Sequence, residues 1–480
     1  MTRVVVGPFN RVEGDLEVGL EVDGGAVRSA QVTSPLYRGF EQILLGKAPL
    51  DALAIVPRVC GICSVAQSAA AARALAVASG VRMPENGRLA TDLVRATENL
   101  ADHLTHFYLF FMPDFARAAY ARRRWHPAVE ARFQATRGTA AAEALSARAE
   151  LLELMGLLAG KWPHTLALQP GGTSRPVQRQ EKIQLRLALR AFRTFLERTL
   201  FGAPLEEVAA LDGVAALEAW RAARPADASD FAAFLEAAAD LGLDRFGRAS
   251  DVFLSSGAYG PEEAPWLARG VFDGALRPFD EAEIREDVSH AWLQDDVPRH
   301  PAQGATRPVP DKAGAYTWCK APRLAGQVVE VGALARQVVD GHPLARDLVA
   351  RAGGNVLSRV VGRLLELARV VPAMEGWVDA LAPGEPFCVT LELPEDAAGV
   401  GLVEAARGTL GHWLAVRGGK IHGYQIVSPT TWNFSPRDAQ GRPGPLEQAL
   451  VDLPTEGEEA AVLVQHVVRS FDPCMVCTVH

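Results

Sequence analysis

Four of the six cysteines in this chain fall into two C-x-x-C pairs, Cys60 with Cys63 and Cys474 with Cys477, while Cys319 and Cys388 stand alone. That spacing brings two thiols onto one turn, where they can grip a metal or cycle with a disulfide. Cys60 and Cys63 open a helical pattern over Ser64–Ser79. The unpaired N–H groups and the dipole at such a start favour thiolates. Four soft thiolates suit zinc, iron–sulfur or another thiophilic metal. A zinc module closes within about 15–20 intervening residues, whereas these pairs lie about 410 positions apart. Three readings stay open on spacing alone: one shared metal site, two unrelated pairs, or a redox disulfide. Cys319 and Cys388 read as core cysteines.

The elements that must carry these thiols are mostly helical. Alternation at Leu16, Val18, Leu20 and Val22, then Gly24-Gly25 and Val27–Val32, predicts a small antiparallel meander. From about Pro49 to Val378 the pattern is mainly helical. Leu93, Thr97, Leu100, Leu104, Phe107 and Phe111 make one apolar face of a helix from near Thr91 to Phe111. Further helices are expected over about 136–159, 178–201, 228–241 and 354–381, wide-striped enough for a bundle core. Gln294–Gly314, with four prolines, reads as a loop. Strand-like runs return at Phe387–Leu393 and Val400–Ala405, and Gly418-Gly419 marks a hairpin between Trp413–Arg417 and Lys420–Ile426. Short helices near 445–452 and 456–469 precede the tail. The expected fold is therefore α+β: mainly helical, with a large central bundle and small antiparallel sheets from the N- and C-terminal segments, as one domain over 1–480.

The 480 residues carry a net charge of −8, with 49% hydrophobic and 22% charged residues. This is ordinary globular usage, and it excludes a generally basic nucleic-acid binder. No run of 18 apolar residues occurs, so no membrane span is expected. The N-terminal apolar run is too short for a secretory signal, which points to the cytoplasm.

Seven motifs together resemble one family. They are Arg11-Val-Glu13-Gly14, Arg38-Gly-Phe-Glu41, Arg58-Val-Cys60-Gly-Ile-Cys63, Asp102-His103 with Phe107-Tyr108, Glu404-Ala-Ala-Arg407-Gly, Tyr424-Gln to Pro429-Thr-Thr-Trp-Asn433, and Asp472-Pro-Cys474-Met-Val-Cys477-Thr-Val-His480. The chain resembles the large subunit of nickel–iron hydrogenases over nearly its whole length. That resemblance implies a nickel–iron centre whose iron carries carbon monoxide and two cyanides. It makes Cys60 and Cys474 terminal nickel ligands and Cys63 and Cys477 bridging ones. It implies that Glu13 relays protons beside Cys477, and that Arg407 projects toward the metals with Asp472 and Asp102 flanking it. Thr430 is implied as a hydroxyl donor to a cyanide. Glu41 and His480 are implied as ligands of a magnesium-like ion, a hard cation content with few protein ligands. The substrate is implied to be dihydrogen. Partners are implied too: a small subunit with iron–sulfur clusters, since no further cysteine motif remains here to hold them, and maturation proteins.

Departures from the usual pattern point to a subgroup. Gln67 stands where the family commonly has histidine, Asp15 follows the glutamate motif, Leu109-Phe110-Phe111-Met112 follows Tyr108, and Ala406 precedes the arginine in place of proline. Ile62 and Phe110 are bulkier than the family's usual valine and smaller aliphatic, and are expected to narrow a gas channel. With a chain that stops at His480, these features resemble the hydrogen-sensing regulatory hydrogenases, which signal to a histidine kinase with low turnover. The competing expectations are a processed catalytic uptake subunit and, from another class, a zinc-stabilised structural subunit of an electron-transfer complex.

Overall fold

The computed structural model describes residues 2–294 and 297–478. The N-terminal meander forms as expected, with β1 (Thr2–Val6), β2 (Glu17–Asp23) and β3 (Ala26–Thr33) in antiparallel order. The first cysteine pair leads directly into α1 (Ser64–Ser79). Next come α2 (Glu85–Thr105), α3 (Ala140–Ala159) and α4 (Arg179–Phe195). With the later helix of Val356–Ala380 they pack as the central bundle. α2 does not keep α-helical geometry to Phe111. It passes into a π-helical turn over His106–Phe111, which changes the number of residues per turn and so the face each later side chain presents. All six residues of its expected apolar face are buried, but so are Asp92, Arg95, Glu98, Asn99, Asp102 and His103 on its other sides. A helix buried all round must satisfy those polar groups inside the protein.

The stretch read as mainly helical also contains a sheet, ordered Glu330–Val331, Phe253–Ala258, Leu267–Phe272, Leu276–Arg277. Phe253–Ala258 is buried at every position, so it shows no alternation to betray a strand. A short α5 (Ala333–Val339) follows this sheet and precedes α6 (Val356–Ala380). Phe387–Leu393 is not a regular strand.

The C-terminal sheet is an antiparallel meander of β4 (Ala397–Ala405), β5 (Gly408–Arg417) and β6 (Lys420–Val427). It lies against α1 at unusually close range. A Cβ added at Gly399 or Gly401 would come within 1.9 Å of the carbonyl oxygens of Ala74 and Ala70. The glycines of β4 and the alanine run of α1 are therefore two halves of one contact, and Arg73 Nη1 adds a 2.8 Å hydrogen bond to Leu402 O. This contact fixes the start of α1, with its cysteines, relative to the β4–β5 hairpin. The last helix, α7 (Glu458–Ser470), delivers the C-terminal cysteines. No helix among the described residues is long and apolar enough to cross a membrane.

Candidate metal centre

The two cysteine pairs meet. The four Sγ atoms lie within 4.8 Å of one another, with Cys60–Cys474 at 3.4 Å, Cys63–Cys477 at 3.2 Å and Cys474–Cys477 at 3.1 Å. These separations are far above the about 2.05 Å of a disulfide, so neither the unrelated-pairs nor the disulfide reading survives. Cys63 caps the start of α1 and Cys60 precedes it in extended backbone. Arg38 Nη2 holds the carbonyls of Arg58 and Val59 at 3.0 and 2.7 Å, which gives the Arg38 motif its purpose.

The terminal segment is seated by the N-terminal one. Asp472 turns the chain at φ 57° after α7. Met475 N–H then donates to Glu13 O at 2.7 Å. Gly14 has φ +80°, and a Cβ there would lie 2.9 Å from Val476 N. Only glycine allows that approach. Through its backbone Glu13 bridges to Cys474, because the terminal segment runs alongside it in parallel register. Thr430 Oγ1 accepts from Cys474 N–H at 3.2 Å, and Ser428 Oγ donates to Cys477 O at 2.5 Å.

Arg407 occupies the two-residue turn between β4 and β5, where Ala405 pairs with Gly408. Its Nε donates to Asp472 O at 2.9 Å, and Nη2 reaches Asp472 Oδ1 at 3.0 Å and Asp102 Oδ1 at 3.1 Å. Nη1 lies 2.9 Å from Asp102 Oδ2. All three side chains are buried. Burial pushes Asp102 up to about 7 against the pull of Arg407. Burial opposes ionisation of Asp472 as well, but Arg407 and its neighbours prevail and hold it below the usual range. The Cys60 thiol is held well below its ordinary value, first by its contact with Cys474. Cys63 is raised by its own contact with Cys474, and Cys474 by burial. Glu13 is raised by burial and by the charge of Cys60, against Arg407 and Arg38.

Glu41 is buried and accepts from Ile426 N–H at 2.8 Å, from Lys320 at 3.2 Å and from Thr306. Lys320 also pairs with buried Glu286 at 3.4 Å. Two carboxylates thus share one ammonium, and Glu286 Oε1 lacks a hydrogen bond. His480 lies outside the described residues. Ile62 and Phe110 are both half-buried. Phe110 lies in the π-helical turn, and its carbonyl accepts from Arg11 Nη1 at 3.1 Å.

Two residues escaped the sequence reading. Buried Glu98 accepts from Val65 N–H, Ala66 N–H and Trp162 Nε1, each at 2.9 Å, and burial pushes it up to about 8. It clamps the first turn of α1 just behind Cys63. Its place four residues before Asp102, on the same helical face, was the available signal. Ser428 caps the Pro429–Asn433 helix, and Ser before Pro at a helix start is a readable signature.

A profile of nickel-dependent hydrogenases matches residues 38–124 and 126–480. The chain belongs to the nickel-dependent hydrogenase family. The periplasmic [NiFeSe] hydrogenase large subunit of Desulfomicrobium baculatum is 30% identical over all of this chain and 95% of its own length. The uptake hydrogenase large subunit of Rubrivivax gelatinosus is 25% identical over 100% and 95% of the two chains. The solved Ni-Fe-Se hydrogenase of Desulfovibrio vulgaris Hildenborough, in its reduced state, superposes with a TM-score of 0.85 at 29% identity, covering both chains completely. This hydrogenase large subunit is the active-site subunit, which partners with a small subunit, and its four-cysteine cluster is suited to a nickel–iron site. The donor set fits that group: four soft sulfurs converge in the interior, and Asp472 Oδ2, two residues before Cys474, has no hydrogen-bond partner among the described residues.

Proposed function

We propose that this subunit splits dihydrogen heterolytically at a nickel–iron centre held by Cys60, Cys63, Cys474 and Cys477, and that it serves as a hydrogen sensor. The observation that carries the chemistry is the convergence of four sulfurs with a buried arginine and a glutamate whose backbone pairs with one of the cysteines. The pairs come from opposite ends of the chain, which supports treating 1–480 as a single domain. When bound, the group, with iron-bound carbon monoxide and two cyanides, supplies the electrophile and the electron sink. The Cys474 thiolate takes the proton at Sγ and passes it to the Glu13 carboxylate. Glu13 suits this because its affinity for protons is raised toward neutral pH. Arg407, fixed by two aspartates, would donate to one cyanide of the bound group, and Thr430, whose oxygen receives Cys474 N–H, would donate its hydroxyl proton to the other. Glu41, with Glu286 beside it, is assigned to a magnesium ion together with His480.

Arg407→Lys keeps the charge but loses the planar fork. Turnover is expected to fall roughly tenfold or more, up to the about 10²–10³ that complete removal of a preorganised donor costs. Cyanide stretching frequencies should shift with it. Unchanged frequencies and rate would mean that Arg407 serves the fold alone.

The exposed apolar residues Leu36, Ile43, Leu45 and Leu50 lie along the segment that Arg38 ties to the Cys60 loop. We assign them to the docking face of the cluster-bearing subunit. The sensor reading rests on Gln67, Asp15, the Leu109–Met112 run, and bulk at Ile62 and Phe110. It implies cytoplasmic location, low turnover and a histidine-kinase partner. A processed uptake subunit is the second reading, favoured by the names of the relatives. Ile62→Val with Phe110→Leu discriminates the two. Added bulk in a dense interior closes a narrow passage more readily than it deforms the walls. The double variant should keep its initial hydrogen oxidation but lose it progressively in air, while the unmodified protein holds its rate. Equal oxygen resistance would refute the channel and weaken the sensor reading. Metal analysis tests the centre itself: the purified heterodimer should hold nickel and iron in about equal amounts, and zinc alone would restore the structural-subunit reading.

A further inference from the structure

A second buried arginine stands behind the first. Arg336 in α5 is 0% exposed. Its Nε and Nη2 donate to Glu366 Oε2 and Oε1 at 2.9 and 2.8 Å. Its Nη1 donates to Glu404 Oε2 and Ala405 O, both at 2.8 Å, and Nη2 also donates to Ala406 O at 3.0 Å. All five N–H groups are used. The two carbonyls belong to the residues immediately before Arg407.

The partners of Arg336 are themselves fixed. Glu404 Oε1 accepts from Ser256 N–H, Ser256 Oγ and Thr409 Oγ1 at 2.8, 2.9 and 2.5 Å. Glu366 Oε1 lies 3.1 Å from Nε2 of His103, the neighbour of Asp102 on α2. The network therefore grips both sides of the Arg407 ion pair: the turn that bears the guanidinium, and the helix position next to its carboxylate. A guanidinium is costly to bury, and well-packed apolar residues often serve stability as well or better. What they cannot supply is a rigid fork that sets two carbonyls and two carboxylates in one plane. The approach is also steric. A Cβ at Gly408 would lie 2.6 Å from Gly332 N, so the start of α5 packs directly on this turn.

We propose that Arg336 is a positioning residue for Arg407: by locking the Ala405 and Ala406 carbonyls it presents the Arg407 guanidinium to the four-cysteine centre in one orientation. This rests on the reading that Arg407 serves that centre. Displacements of about 1 Å at a reacting group cost up to about 100-fold.

The test is a double-mutant cycle on the metal-loaded heterodimer, with Arg336→Lys introduced into the unmodified protein and into Arg407→Lys. An ammonium cannot reproduce all five hydrogen bonds, so turnover should fall about 10- to 100-fold in the first background. In the second it should fall less than about twofold, because the orientation that Arg336 protects is already lost. The cyanide bands of Arg336→Lys should move in the direction seen for Arg407→Lys. If Arg407→Lys is impaired and Arg336→Lys costs the same factor in both backgrounds, the function reading stands and the positioning role is overturned. If Arg407→Lys is as active as the unmodified protein, Arg407 leaves the site and the positioning role goes with it. Should Arg336→Lys yield no heterodimer, Glu404→Gln, which keeps the shape and removes the charge, replaces it in the same cycle: a loss confined to the unmodified background supports the positioning role, and an equal loss in both overturns it.

Discussion

Replacing Cys474 by serine is expected to abolish hydrogen turnover. The loss should exceed about 100-fold, since even partners one shell beyond a metal cost about 10–100-fold in affinity or activity. Serine is harder and far less easily deprotonated, so it cannot replace a soft thiolate. Cys474 is a severe test because its sulfur lies 3.4 Å from Cys60 and 3.1 Å from Cys477, and its neighbours Pro473 and Met475 pair with Glu13. The same substitution at Cys60, Cys63 or Cys477 should be equally disabling. Nickel and iron content, measured beside hydrogen oxidation, checks each position. A serine variant with both metals and full activity would remove that cysteine from the ligand set.

Glu13→Gln is the second large effect, expected in proton movement and not in metal loading. The amide keeps the shape and most hydrogen bonds but cannot take up and release a proton, and such a loss costs about 10²–10⁴-fold. Deuterium–hydrogen exchange should collapse to that extent, with unchanged nickel and iron content. Because the backbone of Glu13 makes the bridge to Cys474, the substitution leaves the seat of the terminal segment intact. A normal exchange rate would take Glu13 off the proton path.

Much of this was legible in the chain, for physical reasons that differ by residue. The Cys60 and Cys474 motifs were visible because metal ligation demands particular residue types at fixed spacing. Spacing alone carries no information about contacts 414 positions apart, so their meeting was legible only through the family resemblance. The meander of Leu16–Val32 was readable because one face of its strands is buried and the other less so, and the later hairpin was readable from its Gly418-Gly419 turn. Phe253–Ala258 was not, because a strand buried on both faces loses its period of two. The apolar face of α2 was legible in its spacing, whereas the burial of its polar positions was not, and for Glu98 only its place on the face of Asp102 hinted at it. The π-helical turn at His106–Phe111 left no mark in the spacing of the apolar residues, which continue through it. Arg336 left no local signal at all, since its five partners come from Glu366 on α6 and from residues 404–406 in and just after β4.

The infrared spectrum of the purified heterodimer tests the central claim most directly. The account predicts one carbon monoxide band and two cyanide bands from iron held by Cys63 and Cys477, bands that shift when dihydrogen is admitted and disappear in Cys477→Ser. A metal-loaded heterodimer whose spectrum shows none of these bands would contradict it.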